Sequence, residues 1–103
     1  MTEEIFNIES LIEYQKDSIV SRELMKKEVG NVTIFAFDKA QGLSEHTAPF
    51  DALIYIVDGS AEVKIAGEVH LLKQGQMVIA PAGKPHELKA VERFKMMLVM
   101  LKA

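Results

Sequence analysis

Short apolar runs rich in β-branched residues alternate along most of the chain with pairs of residues that favour turns. The runs occupy residues 32–37, 53–57, 61–65, 69–72 and 77–80, and the turn pairs are residues 30–31, 58–59, 66–67 and 74–75. Strands of this length, joined by tight turns at this spacing, are typical of an all-β sandwich or barrel. The pattern therefore predicts an all-β fold.

The beginning of the chain follows a different pattern. An asparagine at position 7, followed by apolar residues at helical spacing, predicts a short helical turn within residues 7–14. The residues after position 18 favour a strand that forms a hairpin with residues 32–37. We therefore predict an arm, residues 1–28, that packs on the barrel or on a partner, and a barrel formed by residues 29–103.

Two of the predicted strands are apolar on both faces. Residues 53–57 and 96–101 contain no polar side chain other than a tyrosine hydroxyl. Because successive side chains of a strand point to opposite faces, both faces of these strands need to be covered. A small barrel covers only the inner face. We expect a homodimer to cover the outer face, the alternative being that residues 1–28 fold back over their own barrel.

Composition and charge exclude several classes of function. A chain of 103 residues, 49% hydrophobic and 26% charged, has the composition of one globular domain. A net charge of −3, with no basic stripe, offers no surface for nucleic acid or anionic lipid, so neither is expected as a partner. The absence of cysteine excludes disulfides and thiolate chemistry. Without a signal sequence or a long apolar run, the chain is expected in the cytoplasm.

Two segments share a spacing of glycine, histidine and proline. Residues 42–59 read GLSEHTAPFDALIYIVDG, and residues 75–90 read GQMVIAPAGKPHELKA. These segments resemble the paired motifs of the cupin family. The resemblance implies a small double-stranded β-helix, the jelly-roll barrel of cupins, preceded here by the predicted helical turn.

In metal-binding cupins, two histidines and a glutamate of the first motif and one histidine of the second converge inside the barrel. Carried over by position, His46 and His86 match, whereas Ala48 and Ala52 stand in place of the second histidine and the glutamate. Zinc and non-haem iron sites use three or more protein ligands. Asp51 is the carboxylate that could complete such a set if a bulge turned it inward. The resemblance therefore implies a pocket with two histidines and no complete metal site.

The matched positions suggest which residues line the pocket and what it does. The predicted pocket residues are His46, His86, Ala48, Ala52, Phe50 and Met77. His70 matches no motif position and is expected on a strand surface. We expect no cofactor, the alternative being a weakly bound divalent transition metal at the two motif histidines.

Three functions remain open. The favoured function is binding of a small molecule by the two-histidine pocket, where imidazoles can also exchange protons near neutral pH. The alternative is a metal-dependent cupin enzyme of the dioxygenase, isomerase or decarboxylase type. A third function, an oligomeric or regulatory module, rests only on the strands that are apolar on both faces.

Overall fold

The computed structural model describes residues 4–103, in which one helical turn precedes eight strands. The predicted short helical turn is a 3-10 helix over Ile8–Leu11, and the Asn7 side chain makes no capping hydrogen bond. The strands are β1 (Ile19–Lys27), β2 (Gly30–Phe37), β3 (Gly42–His46), β4 (Phe50–Ile65), β5 (Glu68–Lys73), β6 (Met77–Ala80), β7 (His86–Lys89) and β8 (Phe94–Lys102). The predicted all-β fold is confirmed. Residues 4–103 include no helix with the length and apolar character needed to span a membrane.

The long strand β4 belongs to two antiparallel sheets. Its first half pairs with β8 and β6, and its second half pairs with β5 and β7. Sheet A therefore has the strand order β1-β2-β8-β4-β6, and sheet B has the order β5-β4-β7-β3. Two sheets that share one bent strand enclose the interior of a jelly-roll barrel, as the motif resemblance implies.

The strand β4 passes from one sheet to the other at Gly59. The turn predicted at Asp58-Gly59 is wrong, because β4 runs through both residues. A register shift between Ile56 and Asp58 marks a β-bulge, and Gly59 has a φ of 75°. A Cβ atom at Gly59 would lie 2.2 Å from the carbonyl oxygen of Arg93, so only glycine fits. The Asp-Gly pair bends one strand here instead of joining two.

The other predicted turns match the structure to different degrees. The turns at residues 66–67 and 74–75 are present and join β4 to β5 and β5 to β6. Both residues of the first turn have positive φ, as a two-residue hairpin of this type requires. The turn between β1 and β2 falls at residues 28–29, two positions earlier than predicted, because residues 30 and 31 already pair with β8.

The barrel core lies next to the bend in β4. Phe37 and Phe94 stack there with ring centroids 4.5 Å apart, and both are fully buried. The other buried members of this cluster come from both sheets and are Ile54, Ile56, Ala61, Val63, Leu72, Leu88, Ala90 and Met96. We call the core at the bend the closed end of the barrel; β4 runs from it to its two ends at Phe50 and Ile65, and Ile65 packs on the edge of the core. We call the region between these two ends the open end of the barrel.

The predicted arm, residues 1–28, contains two structural parts. Its second part is β1, which pairs with β2 and is therefore a strand of sheet A. Its first part, residues 5–17, which we call the N-terminal segment, packs on the outer face of sheet A through Leu11, Ile12 and Tyr14. Ile12 is 5% exposed and packs with Ile34 and Ala36 of β2. The N-terminal segment thus covers one end of that face.

Polar contacts hold the N-terminal segment on the barrel. The Tyr14 hydroxyl donates a 2.6 Å hydrogen bond to Asp58, and the Lys95 ammonium donates one of 2.6 Å to the carbonyl oxygen of Glu9. The Arg93 guanidinium lies 4.5 Å from the centroid of the Tyr14 ring. Burial and the hydrogen bond to Asp58 raise the pKa of Tyr14 above its ordinary value of 10.0. The neutral hydroxyl is the form that stabilises the fold.

We predict that Gly59→Ala destabilises the protein far more than Gly67→Ala does. Both glycines have positive φ, which costs an alanine about 1–2 kcal/mol. A Cβ atom at Gly67 meets nothing within 4 Å, whereas one at Gly59 collides with backbone. The loss for Gly59→Ala should therefore reach roughly 3 kcal/mol or more. Urea unfolding of the two variants measures the difference, and equal losses would show that the bend tolerates a side chain.

We predict that Tyr14→Phe lowers the free energy of unfolding by about 1 kcal/mol near neutral pH. Because the folded pKa of Tyr14 is raised, its contribution is fully present below the ordinary tyrosine pKa of about 10 and is lost as the pH rises above that value. Urea unfolding at about pH 8 and about pH 11 should show a smaller alkaline loss for Tyr14→Phe than for the unsubstituted chain. Tyr55→Phe, which removes the other tyrosine hydroxyl, is the control and should keep the full alkaline loss.

Candidate functional site

The pairing of β3 with β7 brings His46 and His86 together. They are register partners, and their ring centroids lie 4.3 Å apart with the ring planes at 63°. A register shift between Leu43 and His46 marks a bulge that adds one residue to β3. Because of this extra residue, the side chains of Leu43 and His46 both lie on the face of the sheet that carries Leu88 and His86. Leu88 belongs to the core, so this side is the barrel interior. Without the bulge, His46 would point away from the barrel.

Backbone carbonyls fix the orientation of both imidazole rings. Nδ1 of His46 lies 2.8 Å from the carbonyl oxygen of Ser44, and Nδ1 of His86 lies 3.2 Å from that of Lys84. Because a carbonyl oxygen only accepts, Nδ1 carries the proton in each ring and Nε2 of the neutral ring is an acceptor. His86 is 8% exposed, whereas His46 is exposed at the open end. The Nε2 atom of His86 is therefore a sheltered hydrogen-bond acceptor, and the Nε2 atom of His46 is an accessible one.

The inner face of sheet A forms the other wall of the open end. One cross-strand row of register partners runs across it through Asn31, Met100, Ala52 and Ala80. Ala52 is 3% exposed and Ala80 is fully buried. Met100 lies four residues after the core residue Met96 on the regularly paired β8, so both face inward. We call these four residues the inner row.

The inner row and the histidines lie on opposite sheets at similar distances from the bend. Ala52 stands near the beginning of β4, and Ile65, the partner of His86, stands at its end. Gly59 lies about midway between Ala52 and Ile65 along the strand. Sheet A therefore carries the inner row and sheet B carries the histidine pair, and the region between them is the candidate pocket.

The side chains at this site do not form a complete set of metal ligands. Ala52 lies on the inner face, and Ala48 lies in the loop between β3 and β4, where its carbonyl oxygen accepts a hydrogen bond from Gly83. Asp51 faces outward, and its carboxylate accepts a 2.9 Å hydrogen bond from the backbone of Ala82. Within residues 4–103, no three His, Asp or Glu side chains are grouped to hold a metal ion. Two imidazoles alone do not fit a metal centre with three or four protein ligands.

Phe50 and Met77, the remaining predicted pocket residues, lie on different sides of sheet A. Phe50 precedes Ala52 by two positions on β4, faces the same side, and is half-buried. Met77 pairs with Tyr55, and its neighbour Val78 packs on the core. Strand alternation therefore turns Met77 outward, where it is 47% exposed. The structure places Met77 outside the pocket, which corrects the prediction.

His70 also differs from its predicted position. It is the register partner of Val63, a fully buried core residue, and so faces the interior at the edge of sheet B. Its neighbours Val69 and Leu71 face outward and are 55% and 59% exposed. The expectation of a surface histidine is wrong, because β5 turns His70 inward on the same side as the core residue Leu72 and exposes Val69 and Leu71.

Asn31 is a pocket residue that the sequence pattern did not indicate. Its Oδ1 atom is buried and has no hydrogen-bond partner among residues 4–103. A buried acceptor without a donor costs about 1–3 kcal/mol, so such an atom indicates a water molecule or ligand that supplies the donor. The signal that could have placed it on the inner face is its alternation with Phe35 and Phe37, which lie four and six positions further along β2 and belong to the core.

Comparison with known proteins places this barrel in a family. A family model described as "Cupin domain" matches residues 33–101. A protein of unknown function from Streptococcus pyogenes is 34% identical with a TM-score of 0.94, over 100% of this chain and 90% of that chain. A "Cupin 2 conserved barrel domain protein" from Leptotrichia buccalis is 38% identical with a TM-score of 0.91, over 94% of this chain and 47% of that chain. An uncharacterized protein of Aquifex aeolicus is 26% identical over 99 residues, which are 94% of this chain and 82% of that protein.

The chain therefore belongs to the cupin family, and the family resemblance of its two motifs is confirmed. The solved relatives extend this agreement over the complete barrel. At positions 48 and 52, which the motif resemblance matches to a histidine and a glutamate ligand, this chain has alanine.

We predict that Ala48→His combined with Ala52→Glu completes a four-ligand site with His46 and His86. The double variant should bind nickel or manganese at least roughly 100-fold more tightly than the unsubstituted chain, because two strong ligands are added. Titration calorimetry measures the affinities. Adding His86→Ala to the double variant is the control and should remove most of the gain. A double variant with unchanged affinity would mean that positions 48 and 52 do not converge on the histidines.

Proposed function

We propose that this cupin binds a small organic molecule at the open end of its barrel, between the histidine pair and the inner row. The observation that carries the proposal is the fixed orientation of two adjacent imidazoles. Both Nδ1 atoms are held by backbone carbonyls, and the ring centroids are 4.3 Å apart. Two neighbouring Nε2 acceptors at the ring tips can bind two donors of one molecule.

The lining supports a ligand with a polar side and an apolar side. The imidazoles accept hydrogen bonds from hydroxyl, amide or ammonium groups. Across the pocket, Met100 offers apolar contact beside the buried Ala52 and Ala80, while Oδ1 of Asn31, which has no partner among residues 4–103, can accept one further donor. We infer a compound with several hydroxyl or amide groups and one apolar edge.

Alanine at positions 48 and 52 contributes space to the pocket. A metal-binding cupin fills these positions with a histidine and a glutamate. Here two methyl groups, smaller than either ligand, stand at these positions, and Ala52 lies directly in the inner row with 3% exposure. The pocket therefore suits a molecule that occupies the space otherwise taken by a metal ion and its ligands.

The same arrangement supports acid-base chemistry on the bound molecule. A neutral imidazole with a free Nε2 can take a proton from a hydroxyl group that it binds. The backbone carbonyls hold the protonated Nδ1 side of each ring, so the acceptor side stays directed at the ligand. Binding is the function that we propose, and proton transfer is the chemistry that this geometry would permit.

One observation favours the alternative, a metal-dependent cupin enzyme of the dioxygenase, isomerase or decarboxylase type. Hydrogen bonds from Nδ1 to backbone carbonyls are also the arrangement that orients metal-binding histidines. Metal analysis of protein purified without chelators separates the two functions. A near-stoichiometric transition metal would favour the enzyme and contradict the proposed binding pocket.

We predict that a thermal-shift screen of small hydroxylated and amide-containing metabolites finds compounds that raise the melting temperature of the full chain. A ligand at 100 times its Kd stabilises the folded state by about 2.7 kcal/mol. His86→Ala and Asn31→Ala should each reduce the shift, because both remove a polar group from the pocket.

Glu87→Ala is the matched control for this screen. Glu87 follows His86 on β7 and pairs with Lys64, so its side chain points away from the barrel interior. This variant should respond to the same compounds as the unsubstituted chain. A screen without stabilising compounds, or compounds that stabilise His86→Ala equally well, would contradict the proposed function.

A further inference from the structure

The inner row continues one strand beyond Asn31, onto β1. Lys26 is the register partner of Asn31 on one side, as Met100 is on the other. Register partners on neighbouring strands carry their side chains on the same face of a sheet. Lys26 therefore places an ammonium group on the pocket side of sheet A, next to the residue whose Oδ1 atom is buried without a partner among residues 4–103.

A β-bulge in β1 turns Lys26 to this face. Before the bulge, the inward residues of β1 alternate from Ile19, which packs on the core, to Glu23. The register then shifts between Glu23 and Met25. Without this shift, Met25 would face the pocket and Lys26 would face away from it. The bulge in β3 turns His46 inward in the same way, so an edge strand of each sheet directs one polar side chain to the open end.

The two edges that carry these bulges lie on the same flank of the barrel. Only residues 38–41 join β2 to β3, so the edge of sheet A formed by β1 and the edge of sheet B formed by β3 are close together. Lys26 and His46 are both exposed. A ligand whose inner end contacts the buried His86 would therefore have its outer end between Lys26 and His46.

A second ammonium group stands on the same face at the rim of the open end. Lys102 follows Met100 by two positions on β8 and is the register partner of Phe50. Its backbone N–H donates a 2.8 Å hydrogen bond to the carbonyl oxygen of Val29, which holds this end of β8 against the turn between β1 and β2. Lys26 and Lys102 thus approach the inner row from its edge and from its rim.

We infer that the ligand of this pocket is a hydroxy acid, whose carboxylate binds Lys26 and Lys102 and whose neighbouring hydroxyl group donates to Oδ1 of Asn31. The inference rests on the proposed function and names the chemical class of the ligand. Asn31 offers an acceptor, and Lys26 beside it offers a charged donor. A hydroxyl group next to a carboxylate presents the complementary donor and acceptor in the same order.

The charges on this face favour a carboxylate at the rim. A hydrogen bond from an ammonium group to a carboxylate is roughly twice as strong as one between neutral groups. An ammonium group on the ligand could also donate to Asn31, but Lys26 would repel it. Glu23 faces the same side one row nearer the bend, where its carboxylate repels an anion. The carboxylate of the ligand therefore lies at the rim, beside the two lysines.

NMR titration of the isotope-labelled full chain with three probes tests the inference. The probes are lactate, the isosteric lactamide, which lacks the charge, and propionate, which lacks the hydroxyl group. Sodium chloride keeps the ionic strength equal in all titrations, because salt screens charged groups. Lactate should bind at least roughly 10-fold more tightly than either of the other two probes.

Two variants assign the two contacts. Lys26→Gln should reduce the preference for lactate over lactamide to less than about 3-fold, because the charged donor is lost. Asn31→Ala should remove the preference for lactate over propionate and keep the preference over lactamide. Lys27→Gln is the matched control, since it removes the same charge from the next residue, which pairs with Gly30 on the outer face. This control should keep both preferences, and circular dichroism confirms that each variant is folded.

The outcomes separate this inference from the proposed function. Lactamide bound as tightly as lactate would overturn the hydroxy acid and leave the binding pocket in place. Equal effects of Lys26→Gln and Lys27→Gln would overturn the contact with Lys26. A chain that binds none of the three probes, while the metabolite screen finds neutral ligands, would also overturn the hydroxy acid. Failure of both the titrations and the screen would contradict the proposed function as well.

Discussion

The close approach of Gly59 to the backbone of Arg93 is the constraint on which the barrel depends. At this point β4 leaves sheet A and enters sheet B, with a bulge and a positive φ that a side chain would obstruct. The stacked rings of Phe37 and Phe94 fill the angle that the bend creates. Since every strand of sheet B is attached through the second half of β4, the position of that whole sheet follows from one residue without a side chain.

The candidate pocket follows from the same geometry. A strand bent near its middle carries its two ends into different sheets, so the inner row lies on sheet A and the histidine pair on sheet B, both away from the bend. The bulge in β3 then turns His46 inward beside His86, and two backbone carbonyls set the rings. The shape of the candidate pocket is set by the bent backbone of β4. Its polar groups are a few side chains at the open end, chiefly those of His46 and His86.

The strands and the motifs could be predicted from the sequence, because strand periodicity and the spacing of glycine, proline and histidine are local properties. Bulges are not local, since an Asp-Gly pair reads as a turn until the partner strand is known, and this explains the error at Asp58-Gly59. Met77 and His70 were misplaced for a related reason. Both lie on short edge strands that expose apolar residues, so the usual rule for assigning the inner face fails there. Asn31 was missed because it follows a glycine and resembles part of a turn.

The separation of the closed end from the open end has an evolutionary consequence. Residues that decide folding, such as Phe94 and Gly59, sit at the bend, whereas position 52 lies in a row of small or flexible side chains at the far end. Substitutions at positions 48 and 52 therefore change pocket volume and donor set without touching the packing that holds the sheets together. Side chains at these two positions can therefore be exchanged in few mutational steps while the same scaffold is kept, since a fold does not by itself fix the chemistry of its site.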